Sequence, residues 1–243
     1  MNQIDELVKL IENSKKTVFF GGAGVSTESG LKDFRSKDGL YNEKYAYKPE
    51  EILSHHFFEE KKEEFYKFYK DKLNSLNYKP NKAHEVLQKL ESKQLLSSVI
   101  TQNIDGFHQM AGSKNVLELH GSVLRNYCVD CGKFYSAIEI FNSKDLVPKC
   151  SCGGVIKPDV VLYEESLKED VLRKAIKEIS TADLLIIGGT SLNVYPAAGL
   201  IQYFRGNKIV LINKDETPYD SICNLIIHES IGKVMQELIE KVK

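Results

Sequence analysis

The sequence predicts an α/β protein, a parallel sheet covered by helices on both faces with a smaller domain set against it. Two observations carry this. Short β-prone runs alternate with helix-like stretches, the pattern of parallel strands joined by helical crossovers. Two segments then break the rhythm: about Gly39 to Lys82, rich in Tyr, Phe, Lys and Glu, and Tyr127 to Val155, which holds four cysteines.

In chain order, Ile4, Leu7, Val8 and Ile11 recur at helical spacing, and Thr17 to Phe20 is a β-prone run broken by Gly21-Gly22-Ala23-Gly24. Further strand-length runs stand at Ser98-Val99-Ile100, Val116 to Leu119, Leu184 to Ile187 and Lys208 to Ile212. Helix-like stretches lie at Ala83 to Leu90 and Asp170 to Ile179, and residues 39–82 read as a helical insertion. In parallel sheets ligands bind at the C-terminal ends of the strands, where the glycine and polar loops emerge here.

The chain has 243 residues and is 42% hydrophobic, enough to bury a substantial core. Its formal net charge of -1 supplies no global field for nucleic acid or an anionic membrane. Met1 to Lys16 lacks the apolar core of a signal peptide, and no segment approaches the roughly 18 uncharged residues of a membrane span. The expectation is a cytoplasmic protein with neither a nucleic-acid nor a membrane partner. Cys128, Cys131, Cys150 and Cys152 crowd one segment, and in a reducing compartment that reads as a metal site before disulfides. Four thiolates fill a tetrahedral Zn²⁺ shell and leave no catalytic position, so the site reads as a structural staple. The Cys150-x-Cys152 spacing is tighter than the common Cys-x-x-Cys. Cys223, before Leu225-Ile226-Ile227, reads as a buried small hydrophobe.

Gly21 to Ser26 follows a strand, and its small residues would let backbone N–H groups approach a diphosphate; a plain turn is the blander reading. The acidic residue that a dinucleotide fingerprint expects about 20 positions later is replaced by Asp33-Phe34-Arg35, which argues against a hydride-transfer dehydrogenase. Gly188-Gly189-Thr190-Ser191 and Asn213 follow two further strands, so several polar loops could enclose an adenine nucleotide, or simply cap turns. Thr101 to His108 packs amide, carboxylate and imidazole groups after a strand, either a site or an Asx turn opening a helix. His120 ends the run from Val116 and is placed to act as a base near neutral pH, although the chain has other histidines at positions 55, 56, 84, 108 and 228.

Taken in order, Gly22-Ala23-Gly24-Val25-Ser26, Asp33-Phe34-Arg35, Thr101-Gln102-Asn103-Ile104-Asp105, His120-Gly121, the cysteine quartet, Lys157 to Glu164, Gly189-Thr190-Ser191-Leu192 and Ile212-Asn213 resemble the sirtuin family from the first strand to the last. The resemblance implies a Rossmann-like NAD-binding domain (1–38, 83–126 and 156–243) and a small domain made of a helical insertion with the cofactor loop (39–82) and a zinc module (127–155). It implies NAD⁺ as co-substrate, structural Zn²⁺, and acylated-lysine proteins or peptides as substrates. The acyl oxygen would attack C1′ of the nicotinamide ribose, releasing nicotinamide and, in the end, free lysine and O-acyl-ADP-ribose. His120 would be the general base, Asn103 would orient the ribose and a water, and Asp105 with Ile104 would hold the carboxamide. Phe34 and Arg35 would line the nicotinamide end; Gly22, Ala23, Ser26 and Gln102 would approach phosphates and riboses. Gly189, Thr190, Ser191, Asn213 and Ile231 would hold the adenosine half. The peptide would lie as an added strand between Val160-Val161-Leu162-Tyr163 and Asn193-Val194-Tyr195.

One position departs from the family pattern, and a second comparison bears on acyl choice. Lys32 stands where proline is usual, and its freer turn is expected to loosen the nicotinamide loop. Tyr66 and Tyr69 stand where members acting on succinyl or malonyl groups carry Tyr and Arg; without the arginine an acidic acyl group would be buried unpaired, so acetyl or another neutral acyl group is expected. A mono-ADP-ribosyltransferase on the same scaffold and a non-enzymatic zinc-ribbon binding module are the rival readings. The first would leave ADP-ribose on protein, and the second would leave NAD untouched.

Overall fold

The computed structural model describes residues 2–34, 38–43 and 45–242. Helix α1 (Gln3–Asn13), capped by the Asn2 side chain, leads into β1 (Thr17–Gly21). The helical insertion follows as α2 (Pro49–Ile52), α3 (His55–Glu60) and α4 (Lys62–Lys72). Next come α5 (Lys82–Ser92), β2 (Ser98–Thr101), the short α6 (Phe107–Met110) and β3 (Val116–Glu118). The cysteine region forms β4 (Gly121–Cys128), β5 (Phe134–Ser136), α7 (Ala137–Phe141) and β6 (Ile156–Val160). The chain closes with α8 (Glu169–Thr181), β7 (Leu184–Gly188), β8 (Lys208–Ile212), β9 (Leu225–Ile227) and α9 (Ile231–Lys241).

The large sheet has the order β3-β2-β1-β7-β8-β9 with every pairing parallel. All five residues of β1 and of β7 are buried because helices cover both faces. The strand alternation sorts them. Phe19, Val99, Ile186 and Val210 pack with α1, α5 and α9, whereas Val18, Phe20, Ile100, Ile187 and Leu211 pack with α8 and the 3-10 segment Ala197–Tyr203. From β1 the chain winds outward through β2 and β3 on one side, and β7, β8 and β9 occupy the other. The order therefore reverses between β1 and β7, where an open α/β sheet leaves a crevice for a ligand. The register makes the crevice level, since Gly21 aligns with both Thr101 and Gly188, and Gly188 with Ile212.

The smaller body is a three-stranded antiparallel sheet, β5-β4-β6, packed against the helical insertion. Its cohesion is aromatic: Phe65 stacks on Tyr69 at 5.8 Å and Tyr69 on Phe141 at 5.3 Å, while Tyr66 donates its hydroxyl to the Ile156 carbonyl. Strands β4 and β6 were not anticipated, because polar residues such as Ser122, Arg125, Asn126, Lys157 and Asp159 interrupt their apolar positions and leave no strong apolar run. Strand β9 is only three residues long, too short to stand out. Cys223 is half-buried rather than a core residue, and its thiol donates to the Tyr219 carbonyl at 3.3 Å.

Gly121 joins the two sheets. Its φ is +75°, and a Cβ there would collide with the Asp159 carbonyl across β4–β6. Gly132 has φ +70° with nothing within 4 Å of a Cβ. Gly121→Ala should therefore lower the thermal midpoint well beyond Gly132→Ala, which bears only the left-handed backbone cost of about 1–2 kcal/mol; equal shifts in parallel melts would show that the β4–β6 contact yields freely.

Candidate functional site

The cleft at the β1/β7 reversal has a volume of about 460 Å³, within the range of small-molecule sites. Its floor is built where two loops touch through their backbones. Gly24 N–H donates to the Gly189 carbonyl at 2.8 Å, and Gly22 N–H to the Gly188 carbonyl at 3.3 Å. A Cβ on Gly24 would meet the Gly189 carbonyl oxygen at 2.8 Å, and one on Gly22 would meet the Thr190 side chain at 2.7 Å. These glycines are thus required first by loop-to-loop packing. The same lack of side chains leaves Ala23 lining the cleft. Beyond them the chain makes two single 3-10 turns, Ala23–Val25 and Thr27–Ser29, in place of a regular helix.

From β2, Gln102 donates its amide to the Thr190 hydroxyl at 3.1 Å, tying the second loop to the third. Asn103 Nδ2 donates to Ser26 Oγ at 3.1 Å, and Ser26 donates to Asp105 Oδ2 at 2.7 Å. Asp105 Oδ1 accepts the Phe107 amide at 2.9 Å. The segment is therefore at once an Asx turn opening α6 and a polar cluster facing the cleft. Burial raises the Asp105 pKa, and the Ser26 hydroxyl and Phe107 amide hold it down in part. Behind Ser26 lies a residue that sequence reasoning passed over. His84 Nδ1 lies 3.2 Å from the Asn81 amide and 3.1 Å from Asn81 Oδ1, and its Nε2 faces Ser26 Oγ at 3.4 Å. Asn81-x-x-His84 ahead of a helix was the available signal, a capping box in which histidine replaces the usual glutamate.

His120 Nδ1 lies 2.9 Å from the Gln102 carbonyl. A carbonyl only accepts, so Nδ1 bears the hydrogen and Nε2 is the unprotonated nitrogen available to the cleft. Burial lowers the His120 pKa, with the Gln102 contact opposing it, so the ring is neutral and basic at physiological pH.

Of the residues expected at the site, Gly22, Ala23, Ser26, Phe34, Gln102, Asn103, Ile104, Asp105, His120, Gly189, Thr190, Ser191 and Asn213 all line this one cleft. So do Val160, Val161, Leu162 and Tyr163 from one side chain run and Asn193, Val194 and Tyr195 from another. Arg35 lies outside the described residues. Ile231 is different: it opens α9 inside the core, packed against Gly188, and its side chain does not line the cleft. Val161 to Tyr163 continue beyond β6 as extended chain held by the Val161 amide on the His120 carbonyl and by Tyr163 paired with Leu53 and His55. Lys72, Leu73 and Ser75 also reach the cleft from the helical insertion. Only tertiary packing could reveal them, since nothing in their local sequence marks them.

The sulfurs of Cys128, Cys131, Cys150 and Cys152 lie within 4.8 Å of one another, with close pairs at 3.5–3.6 Å. Tetrahedral ligands about 2.3 Å from Zn²⁺ stand roughly 3.8 Å apart, so the quartet fits a closed structural zinc site despite its tight Cys-x-Cys. The tight closing pair is absorbed by a turn in which Gly153 N–H donates to the Cys150 carbonyl with Gly153 at φ +94°.

The family model described as "Sir2 family" matches residues 22–196. A relative named NAD-dependent protein deacetylase, from Clostridium perfringens (strain 13 / Type A), is 61% identical over 243 residues, covering 98% of this chain and 99% of its own. Among solved structures, Sir2 with a peptide and NAD⁺ superposes with a TM-score of 0.87 at 41% identity, covering 99% of this chain and 98% of that one. Sir2 bound to a propionylated peptide does so with 0.89 at 40% identity, over 99% and 98% of the two chains.

Metal analysis of protein purified without chelator should find about one zinc per chain, and Cys131→Ser should lose it together with part of the thermal stability. Burial pushes the His84 pKa down to about 4, and pushes that of the adjoining His108 well below its ordinary value. Above pH 6.5 both are neutral folded or unfolded. Below it the unfolded chain takes up protons that the folded chain refuses, so stability falls between pH 6.5 and 4, by about 2 kcal/mol at pH 5 from His84 alone. Denaturant titrations at pH 7.5 and 5 should show this loss, and a smaller one in His108→Leu.

Proposed function

The chain belongs to the Sir2 family, and from that membership and the cleft we infer that it removes acetyl groups from protein lysines with NAD as co-substrate. The observation that carries the reading is the neutral His120 with its free Nε2 in the same cleft as Asn103, Asp105 and the touching glycine loops. Bound NAD supplies a ribose carbon that loses nicotinamide and becomes open to the acyl oxygen. The protein's own groups do the rest. His120 Nε2 takes the proton of a ribose hydroxyl, and its Gln102 contact keeps that nitrogen basic. Asn103, fixed by Ser26, orients the ribose and a water. Asp105 has lone pairs beyond those used by Ser26 and Phe107, and these hold the nicotinamide carboxamide beside Ile104 and Phe34. Gly22, Ala23, Ser26 and Gln102 meet the phosphates and riboses, and Gly189, Thr190, Ser191 and Asn213 the adenosine. A peptide lies extended between Val160–Tyr163 and Asn193–Tyr195, read largely by its backbone.

We place the nucleotide-binding body at 1–38, 83–126 and 156–243 and the smaller body at 39–82 and 127–155; β6 and most of β4 fall within the first limits yet pack into the core of the smaller body, so they form the junction between the two. Acyl selection follows from the cleft's cations. Tyr66 and Tyr69 are fully buried and do not line it, and the lysines that do, Lys32 and Lys72, are both bound by Glu43. An acidic acyl group finds no unpaired cation among these, which supports acetyl and similar neutral groups as substrates.

Mixing the protein with NAD and an acetyl-lysine peptide should give equal amounts of nicotinamide and deacetylated peptide by mass spectrometry, while a succinyl peptide turns over poorly. His120→Ala should abolish turnover and keep the melting midpoint. Nicotinamide release with the acetyl group retained would favour ADP-ribosyl transfer instead.

A further inference from the structure

Lys32 was expected to loosen the loop after β1, and in the structure its side chain is paired with Glu43. The two arms of that loop are joined by three cross-links. Leu40 N–H donates to the Asp33 carbonyl and Tyr41 N–H to the Phe34 carbonyl, both at 2.9 Å, and beyond them Lys32 Nζ donates to Glu43 Oε1 at 2.7 Å. Glu43 Oε2 accepts Lys72 Nζ at 3.0 Å and the Tyr45 hydroxyl at 2.5 Å. Lys72 ends α4, so one carboxylate fastens both arms of the loop to the helical insertion. Its pKa is held down to about 2 by Lys32, Tyr45 and Lys72, so it is ionised at neutral pH. The Glu43 and Lys72 side chains are 24% and 25% exposed and that of Lys32 is 54% exposed, so water screens the Lys72 pair less than the Lys32 pair. Asp33, Phe34, Lys32 and Lys72 all line the cleft, and Phe34 meets Tyr41 edge-on at 5.7 Å.

We propose that Glu43 is a positioning residue for the co-substrate: by holding Lys32 and Lys72 it keeps the Asp33-Phe34 arm against the nicotinamide end of the cleft. The assignment rests on reading this cleft as the NAD site. Glu43 touches neither reacting group, so its loss should weaken NAD binding and leave the chemistry intact.

Glu43→Gln should raise KM for NAD about threefold to tenfold, the worth of a partly shielded ion-pair network, with kcat and the peptide KM changed less than about twofold. In the free protein, hydrogen exchange at the Leu40 and Tyr41 amides should quicken in the same variant. Asp71→Asn, which removes the other carboxylate on Lys72, should leave both readouts as in the wild type. In a Lys32→Met/Lys72→Met background Glu43→Gln should have no further effect. Unchanged exchange and unchanged KM for NAD would overturn the proposal, as would equal changes in kcat and both KM values. The exchange measurement needs no turnover, so it judges the tie even if the deacetylase reading fails.

Discussion

The cleft depends on one backbone contact, Gly24 N–H to the Gly189 carbonyl, made where two neighbouring parallel strands end level and their connections diverge. Side chains on either loop would force the strand ends apart, and the close approach is what brings Ala23, Ser26 and Thr190 onto one floor. Gln102 then stitches the third loop to this pair through Thr190. The glycines therefore serve packing and ligand access by the same property, which is why a motif that is weak evidence in isolation carries weight in place.

Two kinds of cohesion meet across the cleft. The large sheet is held by aliphatic burial on both faces, and the smaller body by stacked aromatics and four thiolates suited to zinc. Small bodies bury too little apolar surface to be robust alone, so a metal staple there has a physical reason. Behind this side of the cleft, Asn81, His84, Ser26 and Asp105 form a line of polar contacts from a helix cap to a buried carboxylate. Because Ser26 Oγ gives its hydrogen to Asp105, it can only accept from Asn103, which orients the Asn103 amide. The polar density of Thr101 to Asp105 is tolerable under burial because nearly every group in it is partnered.

Two side chains singled out in the sequence find partners of different kinds. Lys32 makes a charged tie to Glu43. Tyr69 has two stacking partners in the core of the smaller body.

By itself the sequence determined the strands with strong apolar runs, the helices with clear periodicity, the parallel sheet, the thiolate quartet and most of the cleft residues, because those follow from local burial patterns or from motifs at the ends of strands. Tertiary structure decided the rest. Strands β4 and β6 form only because each provides the other's edge, and Lys72 and Ser75 reach the cleft only because the helical insertion folds back over it. Ile231 went to the core because α9 begins against Gly188, a contact between residues far apart in the chain. The same holds for Lys32 and Glu43, whose meeting depends on a loop closing on itself and on a helix behind it. Pairings of that kind leave no periodicity to read, since either residue taken singly is an ordinary solvated charge.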